Sequence, residues 1–128
     1  MSIIELLKTK EGFVALSSAT KEQIKEAEET LNVPFSKEYK DYVASFGAVY
    51  FNGHDLTGVC KSPRLNVVAA TERVRQNYTE LDMKTYVIEE TAYEGIVFVQ
   101  SKNGTVYRVS PNEKPIKVAD SLTEYLSE

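Results

Sequence analysis

The residues around Pro34 constrain this chain more than any others. Upstream, Thr20 and Gln23 have the spacing of a capping box, in which two side chains satisfy opposite backbone N–H groups at a helix start. Ile24, Ala27 and Leu31 then share one helical face, while Lys21, Glu22, Lys25, Glu26, Glu28 and Glu29 spread over the rest. Downstream, Ser36 is placed to cap a second helix, in which Tyr39, Tyr42, Val43 and Phe46 recur at i, i+3, i+4 and i+7. Gly47 is placed to stop it. Between the two, Pro34 lacks an N–H and disfavours helical geometry at Val33, so Val33-Pro34-Phe35 must be a short extended corner. A tight helical hairpin over 20–31 and 36–46 follows.

Three further helices are predicted around this hairpin. Ser2 with Glu5 and Ser121 with Glu124 repeat the capping-box spacing, giving helices near 2–8 and 120–127. Asn66 is a cap for a helix over 66–78, with Val67, Ala70, Val74 and Tyr78 on one side. Segments 85–90, 94–101 and 104–110 are rich in Val, Ile, Tyr, Phe and Thr and read as strands. Asn103-Gly104 supplies the positive φ values of a tight turn, so GIVFVQS and TVYRVS should pair antiparallel. Shorter strands are expected near 48–52 and 55–59, with an edge at 115–118. There is no strict βαβ alternation. The expected fold is therefore α+β: one domain over residues 1–128, its helical hairpin and further helices packed on a mainly antiparallel sheet.

Composition limits the function classes. A 128-residue chain can bury a sizeable core without metal or disulfide support. With 42% hydrophobic and 27% charged residues it carries no disorder signature, and its longest run of strong hydrophobes, 96–99, is far too short to span a membrane. MSIIELLKTK lacks a basic n-region and a small-residue cleavage site, so a secretion signal is not expected. One cysteine, Cys60, excludes an internal disulfide and any multi-cysteine zinc site. A cytosolic protein is the expectation.

Catalytic signals are sparse. His54 is the sole histidine; its neighbour Asp55 makes an HD dipeptide, yet a catalytic metal usually needs about three protein ligands and no other His or clustered Cys is present. No GxSxG surrounds any serine, so His54 reads as a turn residue. Cys60 precedes Lys61, which could lower its pKa, but a lone cysteine reads first as a small hydrophobe. The six glycines form neither GxGxxG nor a P-loop. Adjacent carboxylates such as Glu28-Glu29 and Glu89-Glu90 point apart on a helix or strand and cannot converge on one bond. Neither a catalytic residue nor a cofactor or metal site is assigned.

Charge distribution says more. Between residues 76 and 100, Glu80, Asp82, Glu89, Glu90 and Glu94 face Lys84 alone, a local −4 that equals the formal charge of the whole chain. A field of one sign attracts basic partners and disfavours direct nucleic-acid binding. Tyr78, Tyr86 and Tyr93 lie in the same stretch, and tyrosine is enriched at protein interfaces. Two readings stand: the tyrosines pack inward and the acids solubilise, or together they form a partner-binding surface. Lys61, Arg64, Arg73 and Arg75 against Glu72 leave an adjoining segment at +3 that could neutralise the acids internally.

The stretch ATKEQIKEAEETLNVPFSKEYKDYVASFG, continued by VYFNGHDLTGV, resembles the SMI1/KNR4 (SUKH) family. The residues that carry the likeness are Ile24, Glu28, Leu31, Pro34, Tyr39, Gly47 and Gly58, with NVVAATERVRQ and DSLTEYLSE similar to the family's middle and terminal helices. Phe35 directly after the proline, Gly47-Ala48 in place of two glycines, and the lack of tryptophan are departures from the usual pattern. The resemblance implies a non-catalytic binding protein. Bacterial relatives serve as immunity proteins that neutralise toxins, often nucleases; fungal relatives act in cell-wall signalling. The expectation is a cognate, basic protein toxin as partner, neutralised by stoichiometric occlusion. A non-catalytic interaction adaptor in cell-wall or growth regulation is the alternative, and an enzyme using His54 and Asp55 a third reading.

Overall fold

A computed structural model describes residues 2–91 and 93–127. The helices begin where the caps placed them. Ser2 and Glu5 form both arms of a capping box at α1 (Ile3–Lys8), and Thr20 and Gln23 do so at α2 (Lys21–Leu31). Ser36 accepts the Tyr39 N–H to open α3 (Lys37–Phe46), and Gly47, at φ 73°, closes it. Asn66 accepts two N–H groups at the start of α4 (Val67–Asn77). At α5 (Leu122–Leu126) the box is only half made: Ser121 accepts the Glu124 N–H. Its remaining donors are taken by Glu38 of α3, whose carboxylate accepts the N–H groups of Leu122 and Thr123 and the Thr123 hydroxyl. A carboxylate at a helix N-terminus is favoured by the exposed N–H groups there.

Among the described residues seven strands form one antiparallel sheet in chain order: β1 (Val14–Ala15), β2 (Val49–Phe51), β3 (His54–Leu56), β4 (Thr85–Glu90), β5 (Val97–Ser101), β6 (Val106–Val109) and β7 (Ile116–Ala119). Among the described residues the fold is thus α+β, as expected. β1 was not expected, because a two-residue strand offers no alternation to read. Strands 85–90, 97–101 and 106–109 sit within their predicted spans, but residues 94–96 belong to a turn and not to β5. The 101–105 hairpin also differs in detail: only Gly104 of the Asn103-Gly104 pair has a positive φ, and the Asn103 side chain instead accepts the Thr105 N–H. A three-residue loop ending in a left-handed glycine makes that connection.

Strand alternation divides the core. One sheet face presents Val49, Phe51, Leu56, Tyr86, Ile88 and Val106 to α1, α2, α3 and α5. The opposite face presents Val87, Val97, Val99 and Val109 to Ala70 and Val74 of α4. Polar groups in the larger core are paired. Tyr86 accepts the Ser36 N–H and donates to Gln100 Oε1 at 2.8 Å, and Gln100 donates in turn to Glu38 and to the Gly104 carbonyl. Such pairing removes most of the cost of burying polar atoms.

The residues that carried the family likeness hold this frame. Ile24, Leu31 and Tyr39 are buried, and Glu28 accepts the Phe35 N–H at 2.7 Å, closing the corner after Pro34. Gly47 and Gly58 are stacked: a Cβ on Gly58 would stand 1.7 Å from the Gly47 carbonyl oxygen, and one on Gly47 2.0 Å from that of Ser17. Val59 donates to the same Gly47 carbonyl. Two glycines are needed because three backbone segments meet there without room for side chains.

Candidate partner-binding surface

The acidic stretch is the candidate site, and the structure splits it. Tyr86 is fully buried between Phe35 and Tyr39, with ring centroids 4.7 and 4.9 Å away. Burial pushes its phenol well above the usual tyrosine range. It belongs to the core and is withdrawn from the candidate surface. Glu89 is withdrawn as well: it is 6% exposed, accepts the Tyr125 hydroxyl at 2.6 Å and lies 2.9 Å from His54 Nδ1. A β-bulge between Val87 and Glu89 places it there. Regular alternation would send it to the α4 side with Val87, whereas the extra residue puts it on the Tyr86 and Ile88 face.

Glu90 then faces α4, where Arg73 Nη2 meets it at 2.6 Å. Arg73 also donates to the carbonyls of Pro63 and Arg64, and Arg75 to those of Leu31 and Met83. Two of the adjoining cations thus work inside the fold, one of them against an acid of the segment.

What remains outward is a hairpin tip and the loop before β4. Glu94 and Gly95 both have positive φ, 49° and 73°, and Ile96 N–H returns to the Tyr93 carbonyl at 2.8 Å. That is the two-residue turn whose twist suits a β-hairpin. It lifts Tyr93, 76% exposed, and Glu94 clear of the sheet. The Tyr78 hydroxyl, at the end of α4, donates to the Gly95 carbonyl and so ties this tip to the 78–84 loop. Glu80 and Asp82 are exposed in that loop, beside Met83, which is 59% exposed. The outward acids are therefore Glu80, Asp82 and Glu94, with Tyr93 as the aromatic among them and Tyr78 as a half-buried support.

His54 opens β3 and is not a turn residue; the turn is Asn52-Gly53, again with positive φ at both positions. Its ring stacks on Phe51 at 5.4 Å. Asp55, next in the strand, points to the other face and pairs with Arg64 at 2.6 Å. The two side chains of the HD dipeptide cannot act on one centre. Cys60 is half-buried, and burial pushes its thiol up, away from the reactive thiolate form.

One concave feature escaped the sequence. A groove of about 810 Å³ runs between Leu16, the outer side of α2 at Gln23, Glu26 and Thr30, and the loop carrying Cys60. Its lining comes from segments far apart in the chain, so no local pattern announces it.

A family model, SUKH_5, described as SMI1-KNR4 cell-wall, matches residues 1–128, the full length of the chain. No curated protein matches it.

Proposed function

The chain belongs to the SMI1/KNR4 (SUKH) family, and on that premise we propose that it is an immunity protein, binding a cognate basic toxin of the nuclease kind and occluding it one to one. The supporting observation is the exposed tip of Tyr93 and Glu94 with Glu80 and Asp82, three acids for which no hydrogen bond from a Lys, Arg or His side chain exists among the described residues. A nuclease grips phosphate with cations, and an acidic partner meets those cations with complementary charge. Glu80, Asp82 and Glu94 steer encounter; Tyr93 gives an aromatic ring that can be desolvated on docking. The cytosol of the cell exposed to the toxin is where this would happen.

Coexpression with the product of the adjacent gene, followed by association kinetics, tests the reading. Replacing Glu80, Asp82 and Glu94 together by Lys should slow association on the order of tenfold or more at low salt while the fold survives, because none of the three is buried. An unchanged rate would remove this surface from the interface. Capture of housekeeping partners without protection from any toxin would favour the interaction adaptor instead.

A further inference from the structure

We infer that β1 is a self-pairing edge, through which two copies of this chain join their sheets into one. This goes beyond the toxin reading and does not depend on it. The two edges of the sheet are unlike. β7 carries Lys117, ion-paired with Asp120, and follows Lys114 and Pro115, the charged and proline residues that discourage strand addition. At the other edge no charged residue occurs from Gly12 to Thr20, and residues 14–18 are all exposed.

The backbone of this edge is prepared for a two-fold partner. Leu16 donates to the Ala48 carbonyl, which makes Ala15 and Val49 a non-hydrogen-bonded pair, so the Ala15 N–H and C=O point outward. Phe13 N–H is occupied by the Lys10 carbonyl, and Ser17 O lies against Gly47. The groups left over are Ala15 N–H and C=O, Ser17 N–H and Phe13 C=O, with no hydrogen-bond partner among the described residues. An antiparallel copy centred on Ala15 satisfies all of them: Ala15 bonds Ala15 of the second copy in both directions, and each Ser17 N–H reaches the opposite Phe13 C=O. That register sets Val14, 55% exposed, across from Leu16 of the other copy, 44% exposed, on the same sheet face. Charge points to the same occupant. Each copy is at −4, and across a two-fold axis a charged patch meets its own like, which the uncharged stretch from Gly12 to Thr20 avoids.

Sedimentation across protein concentration tests this with the intact chain. The contact is small, so the apparent mass should rise from 14.4 kDa towards twice that value only on the order of hundreds of micromolar. Ala15→Pro deletes the outward N–H without touching a bond to β2, and Leu16→Lys places a charge at the pairing face; both should abolish the rise while circular dichroism is unchanged. Ile116→Lys, on the β7 edge, should leave it intact. A chain that stays monomeric at millimolar concentration, or a dimer that survives Ala15→Pro, overturns the inference. So does a loss of association in Ile116→Lys, which would mean head-to-tail pairing of β1 on β7.

Discussion

Raising the pH above 10 should unfold this protein through its buried tyrosines. Tyr39 and Tyr42 have no exposed surface and Tyr86 none either, while Tyr125 is largely covered. All four phenols are held above the ordinary value of 10.0, first by burial; in Tyr125 the neighbouring Glu89 adds to it, and in Tyr39 the neighbouring Tyr42. Each therefore binds its proton more tightly when folded. The stability linked to that proton is complete below pH 10 and is lost as pH rises past the unfolded-state pKa. A phenol that stays protonated in the fold forfeits on the order of 1 kcal/mol for each pH unit above 10, and four together several kcal/mol by about pH 11. A domain of this size holds about 5–15 kcal/mol, so unfolding should fall between roughly pH 11 and 12. Absorbance at 295 nm counts phenolates while far-ultraviolet circular dichroism follows the helices, and the ionisation of four phenols should coincide with helix loss. Tyr39→Phe supplies the control. Its hydroxyl bonds Thr57 Oγ1, which keeps its own bond to the Val87 carbonyl, so the variant should fold and lose less stability, on the order of 1 kcal/mol, on going to about pH 11. Reversible ionisation of these four with the dichroism unchanged would refute the burial argument, Tyr86 included.

Two substitutions probe the frame. Gly58→Ala drives a Cβ into the Gly47 carbonyl and within 2.9 Å of Ala48 Cα, and should cost about 3 kcal/mol or more in urea denaturation, the upper end for overpacking. Glu38→Ala leaves the N–H groups of Leu122 and Thr123 without their carboxylate and should cost about 2 kcal/mol. In hydrogen exchange the second loss should be concentrated in α5, whose amides exchange faster than those of α3.

Local chemistry carried most of the fold. Ser2, Thr20, Ser36 and Asn66 cap where they were read to cap, since a side chain satisfying a nearby N–H needs only its neighbours. Ser121 also caps, accepting the Glu124 N–H, but Glu38, which takes the Leu122 and Thr123 N–H groups, was not legible because it arrives from α3, 84 residues away in the chain. β1 was missed because its existence depends on β2: Val14 and Ala15 form a strand only by pairing with Tyr50 and Val49. The stacked glycines had the same character. Gly47 was legible as a helix stop, but its contact with Gly58 required the fold.

The candidate surface fails and succeeds for one physical reason. Five acids in residues 76–100 give a sum in sequence, but a field outside the protein is made only by those that stay solvated and uncompensated. The bulge after Val87 decides the division: it carries Glu89 to the core face, beside His54 and Tyr125, and turns Glu90 to the α4 side, where Arg73 meets it. Were the same sequence paired with regular alternation, the two carboxylates would exchange faces, leaving Glu89 towards α4 and Glu90 against the larger core. The acids beyond the strand, Glu80, Asp82 and Glu94, escape this fate because they sit in turns, where neither neighbouring strand nor helix covers them. Glu80 and Asp82 precede β4 and Glu94 follows it, so the exposed acids flank the strand, and the Tyr78 hydroxyl, donating to the Gly95 carbonyl, links the two turns.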